Sequence, residues 1–209
     1  MTLRHHTAPQ GSDEWHAARR GLITGSRFRD ARERKRDGTP TAAALGYAQD
    51  LARERCGGLL LPTYSTPAMR IGTEQEPAAR FAYELQTGHM VAETGFWSRG
   101  RFGVSPDGLV GDDGLIEIKT MCSSATLFRA AVDGDVSDYL DQIVGELWLL
   151  GRQWCDLCLW APDLGDEGAL IVRRIERDET EILALDADLT AFAEIVDSLE
   201  RKLRRAMGI

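Results

Sequence analysis

Apolar positions along this chain recur first with a helical period, then with the alternation of strands, then helically again. Ser12-Asp13-Glu14-Trp15 opens the first helix: Ser12 is a capping residue and the two acids suit a first turn. It runs to about residue 20 and stops at Gly21, and Leu22-Ile23 is a short apolar link. Thr24-Gly25-Ser26 offers hydroxyl caps for a second helix over about 26–36, broken by Asp37-Gly38-Thr39-Pro40. A third helix is predicted over 41–55 and a loop over 57–66. Over 67–87 the spacing of Met69, Ile71, Ala78, Phe81, Ala82 and Leu85 predicts a helix with those residues on one side.

Three strands follow, over 89–97, 102–105 and 115–120, with Gly111-Asp112-Asp113-Gly114 as a hairpin turn. Helices are predicted over 124–131 and 137–150. Buried strands are predicted over 154–161 and 169–177. A last amphipathic helix spans 187–206, turning Leu189, Phe192, Ile195, Val196, Leu199 and Leu203 to the core. Helices flanking a small mixed central sheet make an α/β (α+β) sandwich.

A length of 209 residues suits one domain spanning 1–209, with 1–11 a mobile N-terminal arm. With 43% hydrophobic and 28% charged residues, the chain is neither disordered, collagen-like nor a disulfide scaffold. No apolar run approaches the roughly 20 residues of a membrane-spanning helix. The N-terminus lacks the apolar core of a secretory signal, so a cytoplasmic location is expected, and four cysteines there are expected to be reduced thiols. A net charge of −8 argues against a general nucleic-acid coat, but not against an enzyme with a local basic surface.

The chemistry gathers around Pro106-Asp107 and Glu117-Ile118-Lys119. On a strand, side chains at i and i+2 share a face, so Glu117 and Lys119 point one way and Ile116 and Ile118 the other, into the core. The hairpin brings Asp107 alongside. Two converging carboxylates repel unless a cation sits between them, and oxygen ligands favour Mg²⁺ or Mn²⁺ over Zn²⁺. Alone, so short a pattern is equally well read as a charged hairpin with a solvated Glu-Lys face.

Other segments decide the matter. Pro106-Asp107…Glu117-Ile118-Lys119 resembles the PD-(D/E)xK nuclease motif, whose core is restriction-endonuclease-like. Trp15-His16-Ala17-Ala18-Arg19-Arg20-Gly21-Leu22-Ile23-Thr24-Gly25-Ser26, Gly72-Thr73-Glu74-Gln75-Glu76 and Tyr139-Leu140-Asp141-Gln142 followed by Trp148 resemble, in order, motifs of the lambda-exonuclease or YqaJ-type viral recombinase family. The resemblance spans about 15–162. It implies that Asp107, Glu117 and the backbone carbonyl of Ile118 bind Mg²⁺ (Mn²⁺ substituting), and that Lys119 positions or deprotonates the attacking water. Glu76 would reach the metal site, in preference to Glu74, and Gln142 would order it. Arg19, Thr24, Ser26 and Ser105 would hold a terminal 5′-phosphate.

The implied activity is a 5′-to-3′ exodeoxyribonuclease acting on linear double-stranded DNA ends. It releases mononucleotides and leaves a 3′ overhang for phage-type recombination. The implied partners are a single-strand-annealing protein and two further copies in a ring-shaped homotrimer, within a bacterial host cell. The alternatives are an endonuclease of restriction or repair type and a non-catalytic DNA-binding relative. Gly25 stands where the family has Ala, and Glu146 where many relatives have Tyr or Gln.

Cys155-Asp156-Leu157-Cys158 invites a zinc, redox or iron–sulfur reading. On a strand, however, i and i+3 face opposite ways, so buried thiols are expected. Residues 27–36 hold six basic residues against two acids, either a solvated face or a DNA-backbone contact.

Overall fold

The computed structural model describes residues 2–58, 66–165 and 169–209. The expected loop over 57–66 therefore lies mostly outside the described residues. Early elements are β1 (Arg4–His6), α1 (Asp13–Arg19), β2 (Ile23–Thr24), α2 (Phe28–Arg32), α3 (Ala42–Arg55) and α4 (Pro67–Thr87). The strands β3 (Val91–Ala92), β4 (Phe96–Arg99), β5 (Phe102–Val104), β6 (Gly108–Val110) and β7 (Gly114–Thr120) follow. The chain continues through α5 (Ser124–Leu127), α6 (Ser137–Leu150), β8 (Trp154–Ala161), β9 (Ala169–Glu176) and α7 (Glu179–Met207). The expected α/β class holds.

The strands form two mixed sheets rather than one, ordered β1-β4-β5-β2 and β3-β6-β7-β8-β9. The division falls inside the strand expected over 89–97, where 93–95 leave the ladder and β3 and β4 enter different sheets. Gly95 passes so close to His6 that a Cβ would meet its carbonyl oxygen at 2.1 Å. The first sheet packs with α2, α3, α6 and α7 around Ile23, Phe28, Leu51, Val104 and Phe192. The second sheet has two buried faces, one holding Leu115, Ile143, Leu147 and Leu157, the other Tyr83, Ile116, Ile118 and Trp160.

Several elements depart from expectation. Arg4–His6, placed by sequence in a mobile arm, pairs antiparallel with β4, with His5 stacked on Trp97 and His6 Nε2 2.9 Å from Ser98 Oγ. A single 3₁₀ turn, Gly25–Arg27, precedes α2, which ends at Arg32 because the Asp37-Gly38 turn folds the next residues back. Lys35 N donates to Thr39 O at 2.8 Å, and Arg34 bridges Pro40. The last helix starts at Glu179, capped by Asp178, eight residues before the expected start at 187, and buries Ile182 and Leu185 as well.

Helix α4 buries a different face from the one its apolar spacing selects. Phe81 is 60% and Leu85 71% exposed, whereas Ala79 and Tyr83 are buried against the second sheet. The polar atoms of that face find partners. Tyr83 Oη donates to Asp156 Oδ2 at 2.7 Å, and Trp160 Nε1 donates to Gln75 Oε1 at 3.1 Å. Asp156 also accepts Arg174 Nε and Nη2, both at 2.8 Å. This buried acid thus ties α4 to β8 and β9.

Asp156→Ala should leave the Tyr83 hydroxyl buried without an acceptor, at a loss of about 2–3 kcal/mol. The value is below that of a fully buried ion pair because the Arg174 side chain is 43% exposed and stays hydrated. Urea denaturation checks this, and a change under 0.5 kcal/mol, about the scatter of surface substitutions, would show the tie to be unimportant.

Candidate active site

Strand β7 is held by parallel pairing with β8 from Gly114↔Trp154 to Thr120↔Trp160, whereas its other neighbour β6 stops at Gly108↔Ile116. Beyond that point the β6 side of β7 has no strand partner, and Asp107 takes its place. Asp107 Oδ2 accepts the Ile118 N–H at 2.6 Å. A strand residue presents its N–H and C=O to the same side. The Ile118 carbonyl therefore faces the gap beside Asp107.

Glu117 shares its face with Leu115, under α6, and is 2% exposed. The expected alternation is thus present, but the Glu117 face is a second interior rather than solvent. Lys119 Nζ donates to Glu117 Oε1 at 2.6 Å and to Gln142 Oε1 at 3.2 Å. Gln142 Nε2 donates to Glu117 Oε1 at 2.6 Å and to Glu146 Oε1 at 3.1 Å. Glu117 Oε2 and Glu146 Oε2 are buried without a hydrogen-bond partner.

Electrostatics follow from this crowding. Burial, then Glu117 and Glu76, raise the Asp107 carboxyl well above the usual carboxylate range. Burial and Glu117 do the same to Glu146. Burial alone would lower the Lys119 ammonium, but Glu117 and Asp107 outweigh it and hold it above the ordinary lysine value. Glu76 projects from α4, accepts Arg80 Nη2 at 3.1 Å, and is raised by burial and by Glu117 despite Arg80. Exposed Glu74 sits on the rim of the same cavity.

A cavity of about 710 Å³ joins these groups to the motif of α1. Its lining includes Arg19, Ser26, Ser105, Glu76, Asp107, Glu117, Lys119, Gln142 and Glu146. Arg19 has no acidic partner among the described residues. Its guanidinium lies over Trp15, 4.0 Å from the ring centroid, and Phe96, at 5.4 Å. Burial brings its pKa down to about 10, so it remains charged at neutral pH. Ser105 Oγ accepts Trp15 Nε1 at 3.1 Å.

Thr24 lies outside the lining. It is buried, its N–H donates to Tyr47 Oη at 3.2 Å, and its side chain caps nothing. The family's alanine at position 25 fits here with slight yielding, since a Cβ on Gly25 would stand 3.2 Å from Val104 Cγ1 and 3.7 Å from Gln142 Cγ. His16 lines the cavity beside Trp15. Glu146, left without a role by sequence, is buried against Gln142. Its i+4 spacing from Gln142 on a helix is the signal that could have found it.

The donor set fits a hard divalent ion. Asp107, Glu117 and the Ile118 carbonyl supply oxygen only, one carboxylate oxygen is buried and unpartnered, and the acids repel one another. No cluster of three or more His, Cys, Asp or Glu that could hold a metal occurs among the described residues, so such an ion would keep water ligands. Cys155 and Cys158 enter the two opposite interiors of the second sheet and cannot share one ion. In the basic segment, Arg27 pairs with Asp30, Arg29 with Asp138, and Arg32 with Asp141 and Asp188. Much of its charge is therefore compensated internally.

Known proteins share the fold. The chain is 35% identical to an alkaline exonuclease (LHK-Exo) from Laribacter hongkongensis, with a TM-score of 0.82, covering 94% of this chain and 99% of that one. The same enzyme in complex with dAMP matches at the same identity and TM-score, covering 94% of this chain and 98% of that one. A phage related exonuclease from Haemophilus somnus 129PT shares the fold at 14% identity and a TM-score of 0.71, over 87% of this chain and 96% of that one. No curated protein matches. Residues 14–153 match the model of the YqaJ-like viral recombinase domain, and the chain belongs to that family.

Proposed function

We propose that this protein is a Mg²⁺-dependent 5′-to-3′ exodeoxyribonuclease that shortens one strand of linear duplex DNA to mononucleotides. The observation that carries the reading is the unpaired Arg19 guanidinium, which shares a cavity with Asp107, Glu117 and Lys119. A half-buried cation without a carboxylate is a ready partner for an anion, and a guanidinium binds phosphate through two parallel hydrogen bonds. Ser26 and Ser105 supply further donors beside it. The 35% identity to an alkaline exonuclease, and that enzyme's complex with dAMP, support the same reaction class.

Asp107, Glu117 and the Ile118 carbonyl would hold Mg²⁺, with Mn²⁺ as a substitute. Such an ion neutralises charge on the scissile phosphodiester and lowers the pKa of its bound water. Lys119 is held as an ammonium, so it donates hydrogen bonds and offsets negative charge on the attacked phosphate rather than acting as a base. Gln142 keeps Lys119 and Glu117 in register, and Glu76 adds a carboxylate from α4. Arg19 fixes the chain end so that the first phosphodiester lies at Lys119. An endonuclease on the same core has no use for an anion site at this place. The 3′ overhang would pass to a single-strand-annealing protein in phage-type recombination in the host cytoplasm.

Linear duplex should be digested with Mg²⁺ while closed circular duplex survives, and Lys119→Ala should abolish digestion in a protein that still folds, with a lowered thermal midpoint because the buried Glu117 loses its counter-charge. Loss of both substrates points to an endonuclease. Arg19→Ala should remove a charged contact of about 1.5–3 kcal/mol. That is a slowing of roughly tenfold to somewhat over a hundredfold. It should fall on 5′-phosphorylated ends and spare 5′-hydroxyl ends. Equal slowing on both makes Arg19 a structural residue.

The raised Asp107 and Glu146 carboxyls predict a pH dependence. Between the ordinary carboxylate pKa and their raised values, the native state binds more protons than the unfolded chain. Stability of the metal-free protein therefore falls as pH rises through that window. Mg²⁺ binds the ionised acids, so the gain in thermal midpoint on adding Mg²⁺ should grow from about pH 5 to about pH 9. Asp107→Asn should lose that gain. A gain independent of pH in the wild type removes Asp107 as a ligand. A ring-shaped homotrimer, implied by the family, should give three chain masses by light scattering.

A further inference from the structure

Glu146 is the fully buried carboxyl that the reading above leaves unused. It lies on α6 one turn beyond Gln142, at 0% exposure. Its contact is specific. Gln142 Nε2 has two hydrogens, one given to Glu117 Oε1 at 2.6 Å and the other to Glu146 Oε1 at 3.1 Å. Gln142 Oε1 is thereby left to accept Lys119 Nζ at 3.2 Å. A carboxamide turned over by 180° would set its NH₂ against the Lys119 ammonium and its oxygen against Glu117 Oε1, and would lose its donation to Glu146 Oε1. The amide thus has one tolerable orientation, and Glu146 is one of the two acceptors that choose it.

We propose that Glu146 is a positioning residue: it locks the Gln142 carboxamide so that its oxygen holds the Lys119 ammonium beside Glu117. The inference deepens the nuclease reading and rests on it for its kinetic consequence, though the locked amide is a physical feature whatever the reaction. Glu117 alone does not suffice for this role. Its Oε1 accepts both Lys119 and Gln142, so without Glu146 one amide hydrogen is unpaired in a buried place and the side chain can swing away. Lys119 would then keep Glu117 but lose its second acceptor, and its Nζ would no longer be fixed by two directions.

The test combines kinetics with a direct view of the amide. Glu146→Leu replaces the carboxylate by an apolar side chain of similar size, and Glu146→Gln keeps an oxygen acceptor. Removing a supporting hydrogen-bond partner of an active-site group typically lowers activity about tenfold to a hundredfold. Glu146→Leu should therefore lower kcat by that factor with KM for duplex ends unchanged, and Glu146→Gln should recover most of it. In a Gln142→Ala background, Glu146→Leu should add no further loss, because Glu146 acts only through Gln142. A full extra loss in the double variant, or a kcat unchanged in Glu146→Leu, overturns the proposal.

The Gln142 side-chain amide protons, assigned by their absence in Gln142→Ala, give a readout that needs no activity. In the wild type they should be protected from solvent exchange. In Glu146→Leu they should shift and exchange faster, and in Glu146→Gln return. Unprotected amide protons, or protons insensitive to Glu146→Leu, refute the lock even if the wild type digests nothing. A protected amide in an inactive protein would instead refute the nuclease reading alone.

Discussion

The site depends on a carboxylate held inside the protein. Glu117 alternates with Leu115 along β7 and faces α6, where water cannot solvate it. An ionised carboxylate in such a place is tolerated only with compensating charge and hydrogen bonds. Lys119, two residues on and on the same face, supplies the charge, and Gln142 from α6 supplies a donor. Both act on one oxygen. The other oxygen remains open, and so does the backbone of β7 where β6 stops. That incomplete compensation distinguishes the arrangement from a finished salt bridge, and it is what the proposed Mg²⁺ would complete.

The same constraint explains why the protein needs two sheets. Ser105-Pro106-Asp107 links the end of β5 in the first sheet to the start of β6 in the second. Arg19, Ser26 and Ser105 lie with the first: α1 carries Arg19, β2 leads into Ser26, and Ser105 follows β5. The carboxylates, lysine and glutamine lie with the second. A three-residue connection therefore fixes the spacing between these two groups of cavity-lining residues. Trp15 stiffens this junction, with its ring under Arg19 and its Nε1 bonded to Ser105.

Strand alternation and helix caps were legible in the sequence because they are local. The motif spacing placed Asp107, Glu117, Lys119, Glu76, Gln142, Arg19, Ser26 and Ser105 in one family pattern, and they line one cavity. Thr24 was misjudged because a hydroxyl before a turn looks like a cap, whereas its backbone is engaged in β2 and its N–H by Tyr47. The face of α4 was misjudged because burial there is chosen by tertiary partners. Tyr83 goes inside since Asp156 receives its hydroxyl, while Phe81 and Leu85 are left exposed among the described residues. The split of the strands between two sheets rests on pairings between residues far apart, such as His6 with Phe96, which no local pattern encodes. Glu146 was visible only as a departure, since its meaning lies in the orientation of a neighbouring amide.

An acidic protein that acts on DNA has to confine its attraction for phosphate. The chain carries −8 overall, and its densest basic segment spends Arg27, Arg29 and Arg32 on Asp30, Asp138, Asp141 and Asp188. Half of that segment's cations are thus compensated by acids, which lowers the number free to meet a DNA backbone. Arg19 differs because its neighbours are aromatic rings, which hold a guanidinium in place without neutralising it. Its charge is therefore available inside a cavity next to several acids. Under the proposed function, a phosphate would approach those acids only where Arg19, Lys119 and the proposed metal ion together outweigh them. The proposed preference for a chain end thus arises from where charge is left unpaired rather than from how much charge there is.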